Sequence, residues 1–60
     1  MPAQKPIKRR LDQLLADRGL AESRTRAQAL VMAGLVFSRE TRLDKPGQQL
    51  VEDAPLEVRG

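Results

Sequence analysis

The chain has 60 residues, 11 Lys and Arg against 8 Asp and Glu, a formal net charge of +3, and neither histidine nor cysteine. The absence of His and Cys excludes zinc fingers, thiol nucleophiles, disulfide frameworks and catalytic triads with an imidazole base. A domain of this length buries only about 60% of the surface that its unfolded chain exposes, so we expect one domain with one small core.

The first eight residues, with two prolines, two lysines and few apolar side chains, are typical of a flexible basic arm. The folded domain is therefore expected over residues 9–60. The arm lacks the apolar run of a signal peptide, and no segment approaches the roughly 18 apolar residues of a membrane span. The expected location is the cytoplasm, with neither a membrane partner nor a small-molecule substrate.

A first helix is predicted over about residues 9–18, because three leucines follow the spacing i, i+3 and i+4. These are Leu11, Leu14 and Leu15. Gly19 follows as the left-handed residue that ends the helix, and Leu20 is placed to contact Leu15.

Three carboxylates lie in or just after this helix: Asp12, Asp17 and Glu22. They could act as paired carboxylates in acid–base catalysis. Their predicted positions on the exposed face beside cations favour solvated ion pairs instead.

A second helix is predicted over about residues 23–33. Ser23 suits its N-cap, because the hydroxyl can accept from a free backbone N–H of the first turn. The apolar stripe at i, i+3, i+4 and i+7 consists of Ala27, Leu30, Val31 and Gly34. Gly34 ends this helix, and the short connection between the helices makes a helical hairpin.

Beyond Gly34 the helical period gives way to short extended runs, separated by turns at Pro46-Gly47 and Asp53-Ala54-Pro55. The runs are residues 35–38, 41–43, 49–51 and 56–59. The inward side chains are expected to be Leu43, Leu50 or Val51, Leu56 and Val58. Phe37, the single aromatic, is expected in the core or at the sheet edge. These patterns predict an α+β domain, a two-helix hairpin packed on a small antiparallel sheet.

Positive charge is concentrated in residues 1–42, which carry nine basic and four acidic groups, against two and four in residues 43–60. Such a basic region suggests a polyanionic partner, with nucleic acid ahead of an anionic membrane. Because Phe37 is the only candidate for base stacking, recognition is expected to depend on phosphates and on folded RNA shape.

Basic residues stand at both predicted helix starts, where the helix dipole disfavours cations. They are Lys8, Arg9, Arg10, Arg24 and Arg26. Free N–H groups together with guanidinium groups suit a phosphate ligand. The alternative is that these side chains are exposed along the helix flanks and only solubilise the domain.

Several motifs together resemble the RNA-binding module named after ribosomal protein S4. They are Arg10-Leu11-Asp12, Gly19-Leu20-Ala21, Ser23-Arg24-x-x-Ala27, Leu30-Val31-x-x-Gly34 and Val36. Within this superfamily, residues 10–15, 18–24, 27–34 and 44–47 are most similar to the N-terminal domain of haemolysin-A-type (TlyA) rRNA 2′-O-methyltransferases. The resemblance implies a module that binds ribosomal RNA, while a separate domain binds S-adenosylmethionine and transfers the methyl group.

The resemblance implies RNA contact at Arg10 and Ser23-Arg24, with Arg26 and Arg42 as neighbours on the same face. The full set of residues expected to bind RNA is Arg9, Arg10, Ser23, Arg24, Arg26, Arg39, Arg42 and Lys45. No catalytic, cofactor or metal residue is expected within this chain.

The chain departs from the family in one hairpin, where Arg39-Glu40 replace the usual Asn-Gly. Arg and Glu are poor residues for the left-handed angles of a type I′ turn, so the register of residues 41–43 stays open. Arg39 becomes an additional cation at the loop tip.

The leading hypothesis is the N-terminal targeting domain of an rRNA 2′-O-methyltransferase, and a last strand that stops flush at Gly60 is typical of a domain excised from a longer chain. The alternative hypothesis keeps the module but places it in a pseudouridine synthase, in the tail of a tyrosyl-tRNA synthetase or in a free-standing ribosome-associated factor that binds rRNA without modifying it. A helix-turn-helix-like DNA binder is disfavoured, because the second helix exposes few side chains that read bases. A small protein-interaction domain with an incidental basic face is the remaining alternative.

Overall fold

The computed structural model of the protein describes residues 7–60, so the first six residues of the predicted basic arm lie outside the described residues. The arm prediction is wrong for Ile7 and Lys8. Lys8 begins a strand, and the Ile7 carbonyl accepts a hydrogen bond from the Glu52 N–H at 2.8 Å. Backbone pairing holds both residues in the folded domain, because it supplies the hydrogen bonds that an arm would leave to water.

Within residues 7–60, two helices and five short strands follow one another in the order β, α, α, β, β, β, β. They are β1 (Lys8–Arg10), α1 (Leu11–Asp17), α2 (Arg24–Met32), β2 (Val36–Ser38), β3 (Thr41–Arg42), β4 (Gln49–Val51) and β5 (Glu57–Val58). The strands form two antiparallel sheets, one of β1 and β4 and one in the order β3-β2-β5. The predicted α+β class is confirmed, and the single predicted sheet is divided in two.

The first helix begins later than predicted, because Arg9 and Arg10 belong to β1. Arg10 has extended backbone angles, φ −64° and ψ 146°. Lys8, Arg9 and Arg10 face residues 51, 50 and 49 of β4. The leucine period starts only at residue 11, so pairing with a distant strand determines the conformation of these basic residues.

Both helices end in the predicted left-handed glycine. Gly19 has φ 74°, and its N–H donates to the Ala16 carbonyl at 3.1 Å. The next N–H, that of Leu20, donates to the Leu15 carbonyl at 2.9 Å, which completes a Schellman motif. Gly34, with φ 77°, ends α2 in the same way. The predicted start of α2 is also confirmed at Ser23, which is its N-cap.

The core lies between the two helices and β2. Its fully buried apolar side chains are Leu11, Leu15, Ala27, Val31 and Val36. Leu43 is buried as predicted, and Leu50, Leu56 and Val58 pack against this core half-buried. Val36 was not among the predicted inward residues. It is fully buried because its side chain is on the face of β2 that packs in the core.

Phe37 lies in this central strand and is neither in the core nor at an edge, so the prediction for it is wrong. Side chains alternate along a strand, and the neighbouring Val36 takes the buried face. Phe37 is therefore on the outer face, half-buried, with the guanidinium carbon of Arg59 at 4.1 Å from the ring centroid.

The hairpin between β2 and β3 has a two-residue turn, Arg39-Glu40, flanked by the pair Ser38 and Thr41. Arg39 has φ 58°, whereas Glu40 has no positive φ. A positive φ at only the first central residue is typical of a type II′ turn rather than type I′. The register that the sequence left open places Arg42 opposite Phe37.

The longest helix of the described residues is α2, with nine residues. None of the helices in residues 7–60 has the length and hydrophobicity required to cross a bilayer.

Candidate nucleic-acid interface

Asp12 lies at the centre of the candidate site, and the prediction that it is exposed is wrong. Asp12 lies in the first turn of α1 and is 0% exposed. Its backbone N–H donates to the Pro46 carbonyl at 3.1 Å. Side chains from β1 and α2 close over its carboxylate, because both elements pack against the beginning of α1. The candidate site therefore contains a buried acid rather than a solvated ion pair.

The Asp12 carboxylate accepts hydrogen bonds from three elements. Arg10 of β1 donates through Nε to Oδ1 and through Nη2 to Oδ2, both at 3.2 Å. Gln28 of α2 donates through Nε2 to Oδ2 at 2.8 Å, and the backbone N–H of Gln13 donates to Oδ1 at 2.8 Å. Arg24 of α2 forms an ion pair, with Nη2 at 3.6 Å from Oδ2. We call Arg10, Asp12, Arg24 and Gln28 the Asp12 cluster.

Asp12 is ionised at neutral pH. Burial raises the pKa of Asp12, but hydrogen bonds from Gln28 and Arg10, the positive charge of Arg10 and the Gln13 N–H together lower it below its ordinary value of 3.8. One negative charge therefore stands against two guanidinium groups, and the Asp12 cluster keeps a net positive charge.

The two arginines of the cluster remain available to a ligand. The side chains of Arg10 and Arg24 are each 49% exposed, whereas that of Asp12 is 0% exposed. An arginine has five N–H donors, and Asp12 takes only two from Arg10. Because both Nη2 atoms contact the same carboxylate oxygen, the two guanidinium groups lie close enough to contact one phosphodiester group.

The turn at Pro46-Gly47 leaves room for this arrangement. A Cβ at Gly47 would lie 3.4 Å from Nη2 of Arg10, so the guanidinium group passes directly over the glycine. Lys45 is exposed in the same loop, whose Pro46 carbonyl accepts from the Asp12 backbone. The loop thus places a further cation beside the beginning of α1.

Ser23 supports the cluster from the start of α2. Its Oγ accepts from the Arg26 N–H at 3.1 Å, which caps the helix on which Arg24 and Gln28 lie. Arg26 itself is not part of the cluster. Two positions along an α-helix correspond to about 200° of rotation, so Arg26 is on the other side of α2 from Arg24. There it lines an open groove of about 360 Å³ with Leu20 and other residues.

The remaining predicted cations lie elsewhere. Arg9 alternates with Arg10 along β1 and pairs with Glu52, with Nε at 3.6 Å from Oε2. Arg39 lies in the β2–β3 turn. The side chain of Arg42 crosses Gly34, at the opposite end of α2 from the cluster. The predicted common face that includes Arg26 and Arg42 is therefore not formed, while Arg10, Ser23 and Arg24 do come together.

The sequence analysis missed Asp12 and Gln28 as members of the site. Gln28 follows Arg24 by four positions, the spacing that places two side chains on one helix face. Its amide donates a hydrogen bond to the Asp12 carboxylate, so Gln28 is not free to read DNA bases. Within residues 7–60, no group of three or more His, Cys, Asp or Glu is arranged to hold a metal ion.

Comparison with known proteins gives three matches. The family model of the S4 domain matches residues 9–54. A Bacillus subtilis (strain 168) protein named "Putative rRNA methyltransferase YqxC" is 57% identical over 53 residues, which are 88% of this chain and 19% of that protein. A solved structure, "Putative hemolysin from Streptococcus thermophilus", has a TM-score of 0.83 at 39% identity, over 95% of this chain and 21% of the other. The chain thus spans about a fifth of each relative's length.

Proposed function

Because this chain belongs to the S4 domain family, we propose that it binds structured ribosomal RNA through Arg10 and Arg24, which contact backbone phosphates. The observation that carries the proposal is the pair of half-exposed guanidinium groups held on one buried carboxylate. A planar, pre-oriented guanidinium loses less conformational freedom when it binds phosphate than a free surface side chain does. The buried acid therefore prepares the two arginines for their ligand.

We further propose that the module is the targeting domain of an rRNA 2′-O-methyltransferase. The name of the Bacillus subtilis relative supports an rRNA methyltransferase, and the 2′-O position is proposed from the resemblance to haemolysin-A-type enzymes. Binding of S-adenosylmethionine and methyl transfer are assigned to protein outside these 60 residues. The role of this module is to hold the catalytic part near one ribose, which makes the reaction effectively intramolecular.

The binding mechanism is release of counterions from the RNA. With the three proposed phosphate contacts, at Arg10, Arg24 and Lys45, log K is expected to fall against log salt with a slope of about −2 to −3. Lys45 is proposed as a contact beside the Asp12 cluster, because its loop packs on the beginning of α1. Ser23 contributes through the helix cap that holds Arg24 in place.

A pair of matched charge-removing variants tests the role of the cluster. Arg24→Gln removes a cluster arginine, whereas Arg9→Gln removes an arginine that pairs with Glu52 on the opposite side of β1. For a structured rRNA fragment, we expect Arg24→Gln to weaken binding about tenfold and to make the salt slope shallower by about 1. Arg9→Gln should change the affinity by less than about threefold. Equal effects of the two variants would show that only net charge matters.

A second experiment compares two variants that raise the net charge equally but are expected to change the RNA affinity differently. Asp12→Asn and Asp17→Asn each raise the net charge of α1 by one unit, and Asp17 is exposed. Simple attraction to RNA would tighten binding in both. Our mechanism predicts that Asp12→Asn weakens binding, since the arginines lose their anchor, while Asp17→Asn does not. Tighter binding by folded Asp12→Asn protein would contradict the proposal. If that variant is unfolded, Gln28→Met removes a single hydrogen bond to the carboxylate and tests the same point.

A further inference from the structure

The outer face of the three-stranded sheet carries a second group of residues that the proposed phosphate contacts do not use. The pairing of β2 with its neighbours sets Phe37 opposite Arg42 on one side and Glu57 on the other. Directly opposite residues in antiparallel strands project from the same face. The adjacent pair, Val36 and Val58, projects to the opposite face and packs in the core.

Arg59 is fixed above this face by four contacts. Its Cζ lies 4.1 Å from the centroid of the Phe37 ring. Its Nε donates to Oε1 of Glu57 at 2.8 Å, and its Nη2 donates to the Arg39 carbonyl at 3.3 Å. Its backbone N–H donates to the Leu35 carbonyl at 2.7 Å, which continues the pairing beyond β5. The guanidinium plane is therefore held in one place rather than moving freely in solvent.

The guanidinium group keeps exposed surface. Its carbon lies over the Phe37 ring, yet the Arg59 side chain is still 49% exposed. A guanidinium group is planar and weakly hydrated, and it stacks readily on flat π systems. Unpaired RNA bases stack on such planes as well as on aromatic rings. Phe37 is half-buried with Arg59 over its ring, so a base would stack on Arg59 rather than directly on the ring.

We propose that the Arg59–Phe37 pair is a stacking platform for one unpaired nucleobase of the bound RNA. This inference rests on the proposed function for the class of ligand, and it adds a contact distinct from the Asp12 cluster. Arg39 and Arg42 lie in the turn and strand beside the platform and supply positive charge for the flanking phosphates. The preferred RNA is therefore a folded element with an unstacked nucleotide next to its helical part.

The test uses a short, unstructured oligoribonucleotide that contains one 2-aminopurine, whose fluorescence is quenched when it stacks. With the wild-type chain, we expect quenching on binding and a shift of the Phe37 ring proton resonances. Arg59→Lys keeps the charge and removes the planar group, so affinity should fall about fivefold or more and the quenching should disappear. The same substitution at Arg9, which pairs with Glu52 in the other sheet, is the matched control and should leave both signals unchanged.

Phe37→Leu provides a second variant, because it keeps an apolar side chain under Arg59 and removes only the aromatic ring. It should reduce the quenching while thermal unfolding shows a folded domain. Wild-type quenching and affinity in both folded variants would overturn the platform.

The two proposals can fail separately. Loss of structured rRNA binding in Arg24→Gln together with unchanged quenching in Arg59→Lys would refute only the platform. Quenching by a wild-type chain that does not bind structured rRNA would refute only the proposed function.

Discussion

Replacement of Asp12 by asparagine should destabilise the domain by about 2–3 kcal/mol. The amide has the same shape but no charge. Its NH₂ group must face Arg10 Nε and the Gln13 N–H in one orientation, or Arg10 Nη2 and Gln28 Nε2 in the other. Breaking a fully buried ion pair costs about 3–5 kcal/mol. The loss here is at or below the lower end of that range, because Arg10 and Arg24 are half-exposed and water can hydrate them again.

This loss is large for a chain of this size. At roughly 0.05–0.15 kcal/mol per residue, a 60-residue domain has a free energy of unfolding of about 3–9 kcal/mol. The midpoint of thermal unfolding should therefore fall by about 10–20 °C. Urea titration followed by far-UV circular dichroism measures the free energy directly. Asp17→Asn is the matched control. Its carboxylate accepts from the Gln13 amide at 2.7 Å in an exposed contact, so the substitution should change stability by less than about 0.5 kcal/mol.

The same substitution should also change the response to acid. The pKa of Asp12 in the folded protein lies below its ordinary value of 3.8, so the unfolded chain binds this proton more readily. The stabilisation from Asp12 is complete above about pH 5 and is lost as the pH falls through 3.8 towards the lowered pKa. Asp12→Asn should flatten this part of the pH dependence, and Asp17→Asn should not. Equal destabilisation by the two variants, or an unchanged acid response in Asp12→Asn, would refute this reasoning.

Three further changes in stability can be measured by the same urea titration. Ser23→Ala removes the cap of α2 and should cost about 1 kcal/mol; no loss would mean that the Oγ contact to Arg26 contributes nothing. Gly19→Ala should cost about 1 kcal/mol through backbone strain alone, because a Cβ there would meet no atom within 4 Å, and a neutral result would contradict the left-handed angle. Arg39→Gly should raise stability by about 0.5–1 kcal/mol, since glycine suits the first central position of a type II′ turn better than arginine; a decrease would show that the turn is not strained.

Features that depend on neighbouring residues were predictable from the sequence. The end of α1 at Gly19, the end of α2 at Gly34 and the cap at Ser23 follow from local backbone chemistry, and the structure confirms all three. Arg10 and Arg24 were among five basic residues predicted at helix starts, where cations oppose the helix dipole, and the structure brings these two onto Asp12. Their RNA contact itself remains a prediction.

Features that depend on distant parts of the chain were not predictable in this way. Residues 8–10 look like an arm and a helix start, and only pairing with β4 makes them a strand. Asp12 has the position of a solvated helix residue, and it becomes buried because Arg10 and Gln28 reach it from other elements. Val36 is buried because side chains of both helices pack on its face of β2, which a run of three residues does not reveal.

The pairing of β1 with β4 links the candidate site to an exposed strand of the fold. Every residue of β1 is exposed, and its partner strand lies some forty positions away in the sequence. Local opening of such a strand requires far less free energy than global unfolding, and it would carry Arg10 away from Asp12 while α1 and α2 stay folded. Ligand capture by Arg10 and closure of this strand are thermodynamically coupled. Amide exchange at Glu52, whose N–H is bonded to Ile7, should therefore slow when RNA binds.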